Sequence, residues 1–316
     1  MRTLDRPKTQ GTFRHEALLY TGTAGFSAAL APVVRAAVEG GDAVLVVAGR
    51  AKVEALRAAL GDAAAGASFA DMAEVGGNPA RIIPAWQAFL DEHRGRTVLG
   101  VGEPIYAARS AAELVECQRH EALLNVAFDE RAWRLVCPYD TESLSEEVIQ
   151  EARRSHPWCQ NDGVDERSTH YDPYGIANAH QDDPLPEPPR VILELTFGPD
   201  RIALLRRLVA GHATRFGLAA TRRDDLVVSV AEVAANSVRH GGGQGFLRLW
   251  REAKALVCEI SDRGAIGDPL AGRRKPPTDA EAGRGLWMAN QLCDLVQIRT
   301  NQSRTVVRLH VTIDTD

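Results

Sequence analysis

The sequence predicts an α/β protein of two domains joined by a stiff acidic segment. Three observations carry this reading. Short apolar runs alternate with helical stretches through the first half, the pattern of a parallel sheet covered on both faces. A proline-rich acidic stretch follows over residues 161–190. The remainder holds one long amphipathic helix, glycine-bearing loops and alternating strands.

In the first half, Ala17–Thr21, Ala43–Ala48, Ser68–Phe69, Thr97–Val101 and Arg134–Cys137 read as strands. Helices are predicted at Ala28–Glu39, Ala51–Leu60, Pro84–Glu92, Ala111–Val126 and Ser145–Ser155. A nucleotide-binding sheet of this kind would carry a phosphate loop after its first strand. Here that turn is Tyr20–Ser27, with glycines but no Gly-Lys-Ser/Thr, so the phosphate-gripping lysine is absent. The layout is RecA-like without NTPase chemistry. Open parallel sheets bind ligands at their strand ends, which makes Gly102, Glu103, Cys137 and Asp140 candidates. The competing reading makes Cys137-Pro138-Tyr139-Asp140 a packed turn.

Between the halves, Asn161–Arg190 holds Pro173, Pro184, Pro186, Pro188 and Pro189, with Asp182, Asp183 and Glu187 among them. That composition gives a stiff acidic linker. His156, Cys159, His170 and His180 fall around it, but their spacing fits no zinc pattern.

The second half opens with a helix at Ile202–Phe216. The long helix then starts at Thr221-Arg222-Arg223-Asp224, which has the look of a capping box. Leu226, Val227, Val230, Val233, Ala234 and Val238 form its apolar face, while Asp225, Ser229, Glu232, Asn236 and Arg239 form a polar stripe. Glu232 and Asn236, four apart, point the same way. A carboxylate beside an amide oxygen suits Mg²⁺, and the carboxylate is also suited to general-base work. An ordinary solvated face is the alternative. His240-Gly241-Gly242-Gly243 stops the helix. Leu256, Cys258 and Ile260 alternate in a half-buried strand that ends at Asp262-Arg263-Gly264. There a carboxylate can accept from an exocyclic base amine, and a glycine lets the backbone approach a ring. The segment 267–277, rich in Gly, Pro and basic residues, reads as a lid or as a solvated loop. Gly283-Arg284-Gly285 opens a helix to about Cys293, presenting N–H groups and a positive dipole end to an anion. Two strands close the chain, with Val296, Ile298 and Thr300 alternating in one and Val307, Leu309, Val311 and Ile313 in the other.

These boxes resemble the ATPase domain shared by gyrase, MutL, the large heat-shock chaperones and histidine kinases. Over about Val191 to Ile313 the chain is most similar to the bacterial anti-sigma-factor and serine-kinase branch used in partner switching. The resemblance implies a two-layer α/β sandwich that binds ATP and Mg²⁺. It gives Asn236 the metal, Glu232 the catalytic base, Asp262 and Gly264 the adenine, Gly283 and Gly285 the phosphates, and Thr305 the support of the base. Arg206 takes the place of an arginine near the partner and the γ-phosphate. Two departures stand out: Ile266 replaces the second glycine after Asp-x-Gly, and Arg304 the glycine before the final threonine. No helix pair with a phospho-acceptor histidine precedes the domain, so His240 belongs to a helix end rather than to an autokinase.

The first half resembles the MEDS sensory domain. The residues that carry this are His15-Glu16-Ala17-Leu18-Leu19-Tyr20, Gly102-Glu103-Pro104-Ile105-Tyr106, Glu121-Ala122-Leu123-Leu124-Asn125, Cys137-Pro138-Tyr139-Asp140 and His156-Pro157. The resemblance implies signal or small-molecule sensing without naming the ligand. The expected organisation is a sensory domain over 1–160, a linker over 161–190 and an ATP-binding domain over 191–316.

Composition frames the function. A net charge of −5 does not imply a general nucleic-acid surface. Five cysteines without paired spacing suit free thiols in a reducing cytoplasm. No apolar run is long enough to span a membrane. The expectation is a cytoplasmic regulator that binds a sigma factor and phosphorylates an anti-anti-sigma (STAS) partner, with homodimerisation left open. The rivals are a non-catalytic, nucleotide-gated binding module and a small-molecule sensor with a degenerate ATPase tail.

Overall fold

The computed structural model describes residues 13–161, 164–172, 175, 183–252, 254–277 and 283–313. Its backbone divides into two compact units, Met1–Gly76 with Ala85–Ile176, and Gly77–Pro84 with Ala177–Asp316.

The first unit is a seven-stranded sheet of β1 (Arg14–Tyr20), β2 (Ala43–Ala48), β3 (Ser68–Asp71), β4 (Val98–Gly102), β5 (Arg134–Asp140), β6 (Trp158–Asn161) and β7 (Val164–Arg167). The order is β3-β2-β4-β5-β1-β6-β7, parallel throughout except for the β6–β7 hairpin. The helices are α1 (Gly22–Glu39), α2 (Arg50–Leu60), α3 (Met72–Gly76), α4 (Ile82–Glu92), α5 (Ala111–Ala127) and α6 (Glu146–Ser155). Side chains alternate across each strand. Leu18, Tyr20, Val44, Val46, Leu99, Val101 and Val136 bury one face under Phe26, Leu30 and Val34 of α1 and Leu56 and Leu60 of α2. On the other face, Trp86 of α4 and Trp133 cover β4. A Cβ at Gly100 would come within 2.9 Å of the Trp133 ring, and one at Gly102 within 3.0 Å of the Trp86 ring. Glycine at alternate positions of β4 therefore lets an indole lie on the backbone.

Two expectations change here. The stretch Tyr20–Ser27 is not a turn, because α1 begins at Gly22 directly after the strand. Gly22 adopts φ +62 and donates its N–H to Asp140 Oδ1 at 3.0 Å, which turns the chain into the helix without a loop. The sheet also runs on into the stretch read as linker. Val164–Arg167 pairs with Trp158–Asn161 as an edge strand whose side chains are all exposed, so no apolar alternation marked it. Pro173, His180 and Asp182 lie outside the described residues.

The second unit is a five-stranded antiparallel sheet of β8 (Leu193–Phe197), β9 (Gly245–Glu252), β10 (Ala255–Asp262), β11 (Leu295–Thr300) and β12 (Thr305–Thr312), ordered β11-β12-β10-β9-β8. Helices α7 (Ile202–Arg215), α8 (Ala220–His240) and α9 (Arg284–Leu292) cover one face. Leu226, Val230, Val233 and Ala234 of α8 meet Leu247, Leu249, Cys258, Ile260, Val307 and Leu309 of the sheet in one core. The capping box is not used: α8 starts from Ala219 without a side-chain cap, and the Asp224 carboxylate accepts from Arg223 instead. Ser229, read as part of the polar stripe, is fully buried and donates to Asp225 O at 2.8 Å. The end of α9 has its carbonyls satisfied from far away in sequence. Asn78 Nδ2 and Arg81 Nε donate to Asn290 O at 3.0 and 2.9 Å, and Arg81 Nη2 donates to Cys293 O at 2.9 Å.

Strand β10 is not half-buried. Val257 and Glu259, on its second face, are covered as well. Arg248 donates to Glu259 Oε1 at 2.6 and 2.9 Å, and Arg308 donates to Glu259 Oε2 at 2.6 and 3.0 Å. The Arg308 guanidinium also lies over Trp250, 4.9 Å from its ring centre, and donates to Pro186 O at 2.9 Å. Glu187 accepts from Arg248 at 2.7 Å. Removing Glu259 takes away the carboxylate that serves Arg308 and leaves Arg248 only the exposed Glu187. Glu259→Ala is therefore expected to lower stability by about 3 kcal/mol in urea unfolding followed by circular dichroism. A loss below about 1 kcal/mol would show that water already screens these charges.

Candidate functional site

The site forms where the end of α8 meets the end of β10. Ser237 Oγ donates to Asp262 Oδ2 at 2.6 Å, and the Gly264 N–H donates to Asp262 Oδ1 at 2.7 Å. Two glycines allow this approach. A Cβ at Gly241 would strike the Asp262 carboxylate, and one at Gly264 would sit 2.8 Å from His240 O. Gly264 is thus required by the protein's own backbone, where the sequence suggested the approach of a ring. Thr305 Oγ1 donates to Gly264 O at 2.9 Å and shares a hydrogen bond with Thr300 Oγ1, also at 2.9 Å. Thr300 Oγ1 in turn accepts the Ile266 N–H at 3.0 Å. The last two strands therefore hold the loop after β10 from below.

Glu232 and Asn236 lie half-buried on α8. Gly283, at φ +87, is the residue from which α9 starts. A Cβ at Gly285 would lie 3.0 Å from Asn236 Nδ2 and 3.1 Å from Glu232 Oε2. That glycine lets the first turn of α9 pass against the carboxamide and carboxylate of α8. Between these elements is a cavity of about 460 Å³, lined by Asn236, Asp262, Gly264, Gly283 and Thr305 and walled by Val233, Ile266, Leu286 and Val307. Its size falls in the range of small-molecule pockets. Glu232 borders Gly285 without lining the cavity. Arg206 is exposed on α7 and is not among the lining residues.

The segment 267–277 is only partly a surface loop. Leu270 and Arg273 are buried, and Gly272 O accepts from Asn290 Nδ2 at 2.9 Å. Arg274 and Pro276 reach the cavity wall. Sequence reading missed Ser237, Gly241 and Thr300 as parts of the site. Ser237 and Gly241 share the spacing of Glu232 and Asn236, which is the signal that could have found them.

The strand-end candidates of the first unit have separate tasks. Gly102 makes room for Trp86. Asp140 Oδ1 accepts the N–H groups of Gly22 and Glu142 at 3.0 and 3.2 Å and so fixes the start of α1. Glu103 is buried, with Tyr20 Oη and Lys52 Nζ both donating to Oε1, the latter at 2.7 Å. Burial pushes the Glu103 carboxyl up, and Lys52 opposes this. Lys52 is thus a lysine near the strand ends, but one already committed to a carboxylate. Cys137 lies 3.3 Å from His15 Nε2.

Residues 14–157 match the family model described as MEDS, the methanogen/methylotroph, DcmR sensory domain. Residues 195–311 match the histidine kinase-like ATPase domain. The chain joins a MEDS domain to a histidine kinase-like ATPase domain. Among curated relatives, the serine-protein kinase RsbW of Bacillus pumilus (strain SAFR-032) is 24% identical over 130 residues, which cover 36% of this chain and 80% of that protein. The crystal structure of the RsbU and RsbW domains of Rv1364c from Mycobacterium tuberculosis aligns with a TM-score of 0.30 and 13% identity, over 67% of this chain and 51% of that one. This chain therefore spans about half of that solved chain. No helix among the described residues is long and apolar enough to cross a membrane.

The contact of Gly241 with Asp262 in the ATPase domain can be tested directly. Gly241→Ala is expected to cost about 1–3 kcal/mol in chemical denaturation, as overpacked sites do. In an Asp262→Ala background the same change should cost at least about 1 kcal/mol less, because the group it strikes is gone. Strict additivity would contradict the contact.

Proposed function

We propose that the ATPase domain binds ATP with Mg²⁺ and works as an anti-sigma factor with serine/threonine kinase activity on an anti-anti-sigma (STAS) partner, under the control of the MEDS domain. The observation that carries this is the single cavity onto which Asn236, Asp262, Gly264, Gly283 and Thr305 converge from separate motifs. The residues fit the nucleotide. Each Asp262 oxygen has one protein donor and keeps a lone pair for an exocyclic amine. Val233, Leu286 and Val307 offer apolar walls to a base. The N–H groups at the start of α9, with glycine at 283 and 285, face anions favourably. Asn236 brings an amide oxygen of the kind Mg²⁺ takes.

When bound, the nucleotide supplies the phosphoryl group and the metal neutralises its charge. The chain's own part is to position and to accept a proton. In this reading Glu232, beside Asn236 and next to Gly285, takes the proton of the partner's hydroxyl. Arg206, exposed on α7, serves as a contact for the partner protein. The 24% identity to a serine-protein kinase supports the class of activity. A second reading, a nucleotide-gated binding module without transfer, draws support from Ile266, whose side chain packs on the core where the resemblance expects glycine.

Calorimetry on residues 185–316 tests the first claim, and a folded fragment giving no heat at millimolar ATP would defeat it. Asp262→Asn should weaken ATP binding by about 1–3 kcal/mol, the value of a hydrogen bond to a charged group. Glu232→Gln should keep ATP affinity while lowering phosphate transfer about 10²–10⁴-fold. Asn236→Ala should instead lose the Mg²⁺-dependent part of binding. If the wild type transfers nothing to any anti-anti-sigma protein while sigma binding still depends on ATP, the non-catalytic module stands.

A further inference from the structure

The MEDS domain buries four metal-ligating side chains against one another, on four different elements. His15 comes from β1, Glu121 from α5, Cys137 from β5, and His156 from the turn after α6. One ligand atom of each lies within 4.8 Å of all the others, and all four residues are 1% exposed or less. The parallel register of β1 and β5 places His15 opposite Leu135 and Ala17 opposite Cys137, so histidine and cysteine share the sheet face that α5 covers.

Three of the six edges of the cluster are close to coordination lengths. His15 Nε2 and His156 Nε2 each lie 3.2 Å from Glu121 Oε2, and His15 Nε2 lies 3.3 Å from Cys137 Sγ. A tetrahedral site with metal–ligand bonds of about 2.0–2.3 Å has ligand–ligand edges of roughly 3.3–3.6 Å. The remaining pairs lie within 4.8 Å, so shifts of about an ångström let the four atoms surround one ion.

The tautomers point the same way. Asn125 Nδ2 faces the carbonyls of Glu121, Ala122 and Ser155 at 3.3, 3.3 and 2.8 Å, so its amide nitrogen is oriented as a donor. Its Oδ1 then accepts from His15 Nδ1 at 3.1 Å. His156 Nδ1 donates to Ala152 O at 2.8 Å. Both rings thus carry their proton on Nδ1 and turn the Nε2 lone pair toward the same carboxylate. Metal-bound histidines are held in this manner, with the second nitrogen donating to a carbonyl. His156 Nε2 and Glu121 Oε1 are buried without a hydrogen-bond partner. Two lone pairs and a carboxylate that face one another in a buried interior are stabilised by positive charge between them. A divalent ion would balance one thiolate and one carboxylate and leave both imidazoles neutral.

We propose that the MEDS domain binds one Zn²⁺ through His15 Nε2, Glu121, Cys137 Sγ and His156 Nε2, as a closed structural site that ties β1, β5, α5 and the end of α6 together. One thiolate with two imidazoles and a carboxylate is a donor set suited to zinc. Four protein ligands leave no open position, which separates the site from catalytic zinc centres. The set also differs from the spacing His156, Cys159, His170 and His180: only His156 belongs to it.

The test uses the full-length chain purified from cells grown with zinc or with cobalt, never unfolded. Metal analysis should find about one equivalent of the supplied metal in the wild type, falling below about a tenth in His15→Ala. The cobalt form should show a thiolate-to-cobalt charge-transfer band and the d–d absorption of a tetrahedral ion. Cys137→Ser, close to isosteric, should remove the charge-transfer band, while Cys159→Ser should leave it unchanged. Less than about a tenth of an equivalent in the wild type from both media would overturn the proposal, whatever the variants do, because the cluster would then be filled by protons alone. A charge-transfer band that disappears with Cys159 and survives loss of Cys137 would overturn it equally.

Discussion

The carboxylate of Asp262, set against the last turn of the long helix, is the contact on which the ATPase domain's site depends. Ser237 and the Gly264 N–H hold its two oxygens, and Gly241 yields the space it occupies. Through Gly264 and Thr305 the same contact reaches the last strand, and through Thr300 it reaches the loop at Ile266. A helix, three strands and a loop are thereby set in one register. The cavity is the space left between them, so its shape follows from a few short hydrogen bonds rather than from the many apolar contacts around it. Charge-assisted hydrogen bonds of this kind are directional, which apolar packing is not.

Two buried carboxylates, one in each unit, have contrasting surroundings. Glu259 lies between two arginines, whose charge does not depend on pH in the working range. Glu121 lies between two imidazoles and a thiol, groups that exchange protons for metals readily. The first arrangement is a fixed brace on the back of an antiparallel sheet. The second is chemically responsive, and it lies in the domain whose family is described as sensory.

Much of this was legible in the sequence, for reasons that can be stated. The strand Ala43–Ala48 and the long helix announced themselves through unbroken apolar periods, and the boxes whose residues line the cavity were visible because short motifs carry their own spacing. What stayed hidden has physical causes. The edge strand Val164–Arg167 takes its stability from backbone pairing and keeps its side chains in water, so no period betrays it. The start of α1 is fixed by Asp140, a residue more than a hundred positions away, where local rules have no purchase. The His15 cluster draws on four elements, and residues so distant give no spacing to read. Glu103, just past the end of β4, and Lys52 of α2 satisfy each other, a pairing that neither residue's neighbourhood suggests.

All five cysteines are buried, and none forms a disulfide. Burial drives the Cys117 and Cys293 thiols up to about 12 and that of Cys258 higher still. Alkylating reagents need both access and a thiolate, so these sulfurs react only when the surrounding structure opens. Cys117, Cys137 and Cys159 belong to the sensory unit, and Cys258 and Cys293 to the ATPase unit. Each half of the molecule therefore carries its own built-in clock of transient unfolding, and peptide-resolved labelling in a single tube can time the two separately.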